Sequence, residues 1–302
     1  MQFLLRPRPV DNEIFSSYLL RLTQTNGYSN YQTVLDYVDI QSDFHKLNYL
    51  SKSSANLGIL ERSTDVEESR LWEMVFPAIA DRSVRAYNST LQYEWLEREK
   101  IKICPACFAE EGYYHKNWSL WCYTSCHINQ CLLVNTCPQC QSVWYWDDLK
   151  NDWKCKCGWN FSDTPITNLE QGDNDLSSLV AHSCGLSGEK SVALNIGSPL
   201  SALSLSQISL LMMSTALCLH NSGGRHHQLK LPSINLELHR LLSRSALVYK
   251  SEFSNLAYFL QWVDRAYRIE YKRAGQRKNH LQELSLISTF RSKLEDLCLL
   301  PR

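Results

Sequence analysis

The feature of this sequence that most constrains its fold is a dense cluster of cysteines. Nine of the 12 cysteines lie between residues 104 and 157, whereas Cys184, Cys218 and Cys298 are scattered. In a reducing cytosol, clustered cysteines are more often metal ligands or catalysts than disulfide partners. The sequence therefore predicts a central metal-binding region, and we expect the three scattered cysteines to behave as small apolar residues.

The 302-residue chain has the composition of a folded globular protein, with 44% hydrophobic residues and a formal net charge of zero. A neutral chain is not expected to coat nucleic acid or an anionic membrane through bulk positive charge. Its most apolar stretch, residues 208–219, is shorter than the roughly 20 residues that cross a bilayer. The N-terminus lacks the apolar run of a signal peptide. We therefore expect a cytoplasmic protein without a membrane span.

Residues 1–100 are expected to form a helical domain. Apolar residues recur at helical spacing between residues 14 and 22, Asp11 or Asn12 can cap this helix, and an Asn-Gly pair ends it. A second apolar face over residues 31–38 completes a helix pair that is similar to a helix-turn-helix unit. Further helices are predicted over residues 44–50, 66–76 and 84–97.

The clearest metal pattern consists of two cysteine pairs separated by 14 residues: Cys137, Cys140, Cys155 and Cys157. Tetrahedral zinc takes four deprotonated ligands, and each tight cysteine pair supplies two of them. The spacer alternates apolar and polar residues before an Asp147-Asp148 turn, which predicts a β-hairpin. The pattern predicts a structural zinc ribbon, because four thiolates leave no coordination position for a substrate.

A second zinc site is predicted from another Cys-x-x-Cys pair, Cys104 and Cys107. Cys126 follows Cys107 by 19 positions, a usual separation for a second ligand pair. The fourth ligand is open among residues of the same segment: His127, Cys131 and, less favoured, Cys122. We therefore expect about two structural zinc ions per chain. A thioredoxin-like redox role is the rival hypothesis, but no βαβ pattern surrounds either pair.

The predicted fold class is mainly α with small β zinc ribbons. An N-terminal helix-turn-helix-like domain precedes tandem zinc-binding modules in residues 101–161, which also hold six of the nine tryptophans. Residues 162–200 are polar and are predicted to be a linker. Four stretches of helical periodicity in residues 201–302 predict a C-terminal helical bundle.

No catalytic pattern emerges from the sequence. A zinc deaminase needs His-x-Glu before its Pro-Cys-x-x-Cys motif, and none precedes Cys104. Residues 185–191 place two residues between their glycines, where a phosphate loop requires four. We therefore expect a protein that is not an enzyme.

Positive charge is concentrated in one C-terminal segment, residues 265–278. Its six cations are candidates for contacting nucleic acid: Arg265, Arg268, Lys272, Arg273, Arg277 and Lys278. A solvated helix end is the competing interpretation of the same charges.

The order of the motifs is itself specific. An arginine-proline lead-in and a Leu-Arg-Leu helix at residues 4–22 precede CPAC, Gly112-Tyr113, CHINQCLLVNTCPQC and CKCG. Over about residues 3–160 this order resembles the TniQ family of transposition target selectors. The chain departs from the family pattern at Asn129, where family members usually place a histidine ligand of the first zinc site. Asparagine is not an ordinary zinc ligand, so either His127 or Cys131 substitutes for it or the first site is degraded.

The resemblance implies a non-catalytic adaptor that links a target-recognition device to the AAA+ regulator and transposase of a transposon. Longer members bind a specific attachment sequence directly, whereas shorter ones are similar to the subunit that rides, often as a dimer, on a CRISPR RNA-guided Cascade complex, where it can also contact DNA or RNA. With 302 residues and zero net charge, this chain fits the shorter class. The alternative is a stand-alone, sequence-specific DNA-binding protein that uses the N-terminal helix pair and residues 265–278.

Overall fold

The computed structural model describes residues 3–53, 55–79, 82–149, 151–170, 174–186, 204–206, 208–209, 212 and 234–252. The chain divides into two compact units, one of Met1–Ser206 with Ile234–Leu236 and one of Gln207–Ser233 with Glu237–Arg302. The predicted boundary near residue 100 lies inside the first unit. The basic segment of residues 265–278 lies outside the described residues, as do Cys218 and Cys298. No described helix is long and apolar enough to cross a membrane.

The first unit is rich in helix and carries a small sheet. Its described α-helices are α1 (Phe15–Thr25), α2 (Gln32–Tyr37), α3 (Gly58–Thr64), α4 (Glu68–Glu73), α5 (Pro105–Glu111) and α6 (Asp175–Ser183). Short 3₁₀ helices lie at Phe44–Tyr49, Tyr93–Trp95, Lys116–Ser119, Trp146–Asp148 and Phe161–Asp163. The strands β1 (Ala78–Ile79), β2 (Ser83–Ala86) and β3 (Ser89–Gln92) form an antiparallel sheet in that order. Helix α7 (Asn235–Glu252) begins in the first unit and confirms the helix predicted from residue 235.

Helix α1 confirms the helix predicted from the apolar spacing, and eight of its 11 residues are buried. Its start differs from the prediction, because the helix begins after Ile14 and no side chain caps it. Distant segments instead bond the free amides at its N-terminus: Ser16 N donates to Asn48 Oδ1 at 2.9 Å, and Phe15 N to the Met74 carbonyl oxygen at 3.1 Å. Tertiary contacts therefore replace the predicted local cap.

The helix predicted over residues 84–97 is wrong. This stretch forms the β2–β3 hairpin, joined by Tyr87 and Asn88, and then a short 3₁₀ helix. Both turn residues are left-handed, with φ of 49° and 57°, which is the geometry of a type I′ turn. Val84 pairs with Leu91 across the hairpin, and both side chains are buried. The apolar residues of this stretch fit both the period of a helix and the period of a strand. The turn at Tyr87 and Asn88 selects the two strands.

A helix also lies within the predicted linker of residues 162–200. Helix α6 buries Ser177 and Ser178, and its N-terminus meets the cysteine-rich region at Ser125. Ser125 N donates to Ser177 Oγ at 3.1 Å, and Ser125 Oγ donates to Asn174 Oδ1 at 2.7 Å. The polar composition hides this helix because its serines bond to protein groups instead of facing solvent.

An aromatic core joins the N-terminal helices to the cysteine-rich region. The ring of Tyr114 lies 5.2 Å from Trp118 and 4.8 Å from Trp146, measured between centroids. The ring of Phe44 contacts Trp146 from the N-terminal side, at 5.9 Å. Trp118 and Trp146 are 1% and 0% exposed. These tryptophans therefore serve packing and are not available for stacking on bases.

A buried cation, Lys116, also joins these two parts of the unit. Its Nζ donates to the carbonyl oxygens of Glu73 and Val75, both at 2.7 Å, and lies 4.7 Å from the Phe76 ring centroid. Burial lowers the pKa of Lys116 from 10.5 to about 8. Between these two pH values the unfolded state binds more protons than the folded state. This lysine therefore makes the free energy of unfolding rise with pH across that window.

Lys116→Met removes this contribution. We expect the difference in unfolding free energy between the wild type and Lys116→Met to move in favour of the wild type as the pH rises from 8 towards 10.5. Urea denaturation at several pH values measures the difference, in which thiol titration common to both proteins cancels. Lys46→Met, at a side chain that is 61% exposed, controls for the loss of one positive charge. Parallel pH profiles for the wild type and Lys116→Met would contradict the assignment.

Candidate metal centre

Two groups of cysteine sulfur atoms converge in the first unit. We call Cys137, Cys140, Cys155 and Cys157 the four-cysteine site, and Cys104, Cys107 and Cys126 the three-cysteine site. Within each group all sulfur atoms lie within 4.8 Å of one another. Both groups combine residues that the sequence predicts as metal ligands, and both could hold a metal ion.

The four-cysteine site has the dimensions of a thiolate zinc centre. Cys137 Sγ lies 3.5 Å from Cys157 Sγ, and Cys140 Sγ lies 3.6 Å from Cys155 Sγ. Tetrahedral zinc with thiolate bonds of about 2.3 Å separates its sulfur atoms by about 3.8 Å. A disulfide requires about 2.05 Å. The donor set and its spacing therefore fit a structural zinc ion.

Two short knuckles position these cysteines, in place of the predicted hairpin of strands. Single bridges flank the knuckles, Thr136 with Val143 and Lys154 with Asn160. The spacer turns away from the predicted hairpin: Tyr145 bridges to Lys100 and the 3₁₀ helix Trp146–Asp148 follows. The apolar spacer residues alternate because they face different neighbours, and not because two strands pair with each other.

The thiols of the four-cysteine site have unequal acidities. Burial raises the pKa of Cys137 to about 12, whereas a hydrogen bond from Ser142, 2.9 Å from its sulfur, lowers the pKa of Cys140 to about 6. Neighbouring thiolates repel one another, so four of them ionise together only around a cation. Zinc would supply that positive charge.

The three-cysteine site is built on the first turn of α5. Cys104 is the N-cap of this helix, Pro105 follows it, and Cys107 N donates to Cys104 Sγ at 3.5 Å. Cys126 arrives from a later loop, with its sulfur 3.7 Å from Cys107 Sγ. All three cysteines are buried. Hydrogen bonds from Cys107 and the other neighbouring thiols lower the pKa of Cys104.

None of the three residues left open as the fourth ligand joins this group. The ring of His127 is engaged elsewhere, with Nδ1 2.6 Å from Tyr123 Oη and Nε2 3.3 Å from the Leu186 carbonyl oxygen. Cys131 Sγ lies 3.4 Å from Cys104 Sγ, but Cys131 is not within 4.8 Å of every member. Cys122 is buried and belongs to neither group.

The side chain that does reach the three sulfur atoms is Asn129. Its Nδ2 lies 3.5 Å from Cys104 Sγ, 3.0 Å from Cys107 Sγ and 3.7 Å from Cys126 Sγ. The sequence marks position 129 only as a departure from the family pattern, because asparagine is not an ordinary zinc ligand. The signal that favours it as a ligand is its place three residues after Cys126, the spacing of a Cys-x-x-Cys pair.

The comparison with known families agrees with the order of the motifs. The TniQ family model matches residues 4–133, which span the N-terminal helices and the whole three-cysteine site. The chain carries a TniQ domain. TniQ is a transposition-associated adaptor family, and the resemblance predicted over about residues 3–160 is confirmed over residues 4–133. No curated protein matches the sequence.

The predicted DNA-reading pair lies inside the TniQ domain, as α1 and α2. Helix α1 is almost wholly buried and offers no reading face. The exposed side chains of α2 are Gln32, Thr33 and Asp36, and Gln32 Nε2 donates to Asp36 Oδ1 at 2.7 Å. Helix α2 has no Lys or Arg, the usual partners of phosphate.

The TniQ domain contains a second grouping around Cys107. Its sulfur lies within 4.8 Å of ligand atoms of Glu111 and His115, and these two side chains pair with each other at the C-terminal end of α5. The His115 ring stacks between Tyr113 and Trp118, at 4.8 and 4.6 Å between centroids. These stacking contacts and the Glu111 pair account for the position of His115 without a metal.

Proposed function

We propose that this chain is a non-catalytic adaptor in DNA transposition. It links an RNA-guided, Cascade-type target complex to the AAA+ regulator and transposase, and it acts as a homodimer. The observation that carries the proposal is the TniQ domain over residues 4–133. DNA cutting and ATP hydrolysis are then the work of its partners.

The metal sites support a structural role for this chain. Four thiolates fill the coordination sphere of zinc, whereas a hydrolytic zinc keeps one position for water. The four-cysteine site offers such a complete set, and the three cysteines of the other site are buried. Structural zinc would fix the angle between the segments that each site joins.

The surface charges of the described residues support contacts with protein more than with phosphate. Many of the exposed or partly exposed cations already face a carboxylate within the same unit. These pairs are Arg8–Asp65, Lys46–Asp43, Arg70–Asp11, Arg82–Glu94, Lys154–Asp152 and Lys156–Asp148. Phosphate groups would have to compete with those carboxylates for the same cations.

The second candidate function is a stand-alone, sequence-specific DNA-binding protein. The basic segment of residues 265–278 favours it, whereas the buried helix α1 and helix α2, which has no Lys or Arg, do not. The two functions differ in how binding responds to salt. Each phosphate neutralised contributes about −0.9 to the slope of log K against log salt, so six cations give a slope of about −5.

Duplex binding by the isolated full-length chain separates these functions. We expect weak, non-specific binding at near-physiological salt, measured by fluorescence anisotropy with competing duplexes. A variant with the six cations of residues 265–278 changed to glutamine should lose this residual DNA binding and retain partner binding. Nanomolar, sequence-selective affinity for one duplex would reject the adaptor and favour the DNA-binding protein.

A further inference from the structure

Two segments of the metal-binding region share one backbone conformation, residues 126–131 and residues 137–142. In each, the amide of the first residue donates to the carbonyl oxygen of the sixth, at 2.8 Å in the former and 2.9 Å in the latter. The fifth residues, Gln130 and Gln141, each donate to the first carbonyl at 2.9 Å. Both glutamines are left-handed, with φ of 48° and 59°. CHINQC and CPQCQS therefore align position by position.

This alignment assigns different places to Asn129 and Cys131. Asn129 corresponds to Cys140, a member of the four-cysteine site. Cys131 corresponds to Ser142, whose hydroxyl lies 2.9 Å from Cys140 Sγ and 3.5 Å from Cys155 Sγ. Ser142 thus lies beside the four sulfur atoms and is not one of the four predicted ligands. Cys131 takes the corresponding place beside the three-cysteine site, with its sulfur 3.4 Å from Cys104 Sγ.

The distances place Asn129 where a fourth ligand belongs. In tetrahedral zinc with thiolate bonds of about 2.3 Å and an oxygen bond of about 2.1 Å, the oxygen lies roughly 3.6 Å from each sulfur. The terminal amide nitrogen of Asn129 lies 3.0 to 3.7 Å from all three sulfur atoms. Rotating the terminal amide by half a turn brings its carbonyl oxygen to that position.

We propose that Asn129 is the fourth ligand of the three-cysteine site, through its carboxamide oxygen, and that this site holds zinc more weakly than the four-cysteine site. A neutral amide oxygen suits hard cations, whereas zinc prefers thiolate and imidazole. The chain therefore has one tight and one exchangeable zinc ion. This inference does not depend on the proposed adaptor function.

Asn129→Cys tests the proposal, because it gives the segment the same ligand that Cys140 provides in the other site. In the wild-type full-length chain, a chelator titration should release one zinc well before the other. In Asn129→Cys the weaker site should tighten by at least about tenfold. Cobalt substitution should show stronger sulfur-to-metal charge-transfer absorbance, because a thiolate has been added. Cys140→Asn is the reciprocal variant and should weaken the four-cysteine site by a similar factor.

Cys131→Ser is the matched control, because it reproduces Ser142. We expect it to leave both zinc affinities and the cobalt spectrum unchanged. Loss of the weaker metal in Cys131→Ser would overturn the proposal and assign Cys131 as the ligand. An Asn129→Ala variant whose affinity and spectrum match the wild type would overturn it as well. Circular dichroism verifies that each variant is folded before its metal is measured.

Discussion

Cys137→Ser should remove one zinc ion and unfold the second half of the cysteine-rich region. Zinc binding at a structural site is worth about 10–16 kcal/mol apparent, which matches or exceeds the roughly 5–15 kcal/mol stability of a whole domain. We expect the aromatic rings beside the four-cysteine site to lose their fixed positions with the metal. These rings pack on one another: Trp144, Trp146, Trp153 and Phe161. Near-UV circular dichroism should lose the part of its aromatic signal that comes from these rings.

Elemental analysis of the purified variant measures the metal, and we expect about one zinc where the wild type holds about two. Far-UV helix signal should fall much less, because helices α1 to α6 lie outside residues 137–157. Cys184→Ser is the control, since Cys184 belongs to neither cysteine group. A wild-type protein with less than one zinc per chain would contradict the account of both sites.

Arg21→Met should be the most damaging single change in the N-terminal helices. Arg21 binds the buried carboxylate of Glu13 with two hydrogen bonds, Nε to Oε1 at 2.7 Å and Nη2 to Oε2 at 2.6 Å. The Glu13 side chain is 0% exposed. Removing the guanidinium leaves a buried charge without its partner, which costs about 3–5 kcal/mol. Urea denaturation followed by far-UV circular dichroism measures the loss.

Two further variants separate the ion pair from packing. Arg21→Lys keeps the charge but loses the two-pronged geometry, so its stability should fall between wild type and Arg21→Met. Combining Arg21→Met with Glu13→Gln should recover part of the lost stability, because no unpaired charge remains. Equal stability for Arg21→Met and the wild type would show that this ion pair contributes nothing.

The parts of the fold that the sequence predicts are those with a local cause. The apolar spacing in residues 14–22 predicts α1, and paired cysteines predict the four-cysteine site, since short-range spacing determines both. The cap of α1 could not be predicted, because Asn48 lies 32 positions from Ser16. The β2–β3 hairpin was missed because its turn residues, Tyr87 and Asn88, lack the glycine that usually marks a type I′ turn.

At the three-cysteine site, residue type alone favours a different fourth ligand from the one that the structure favours. Histidine and cysteine are better zinc ligands than asparagine, so His127 and Cys131 were natural candidates. The backbone of residues 126–131 turns Asn129 towards the sulfur atoms, while Tyr123 and Leu186 hold the His127 ring. CHINQC and CPQCQS can be compared in the sequence, but only their shared backbone hydrogen bonds establish which positions correspond.

Co-purification tests the proposed adaptor most directly. The tagged full-length chain would be incubated with the RNA-guided complex and the AAA+ regulator from its own genetic neighbourhood, and then washed at salt that strips free DNA-binding proteins. The account predicts that both partners remain bound after nuclease treatment of any accompanying DNA. Partners that elute with the salt, together with tight binding of the chain to one duplex sequence, would contradict it.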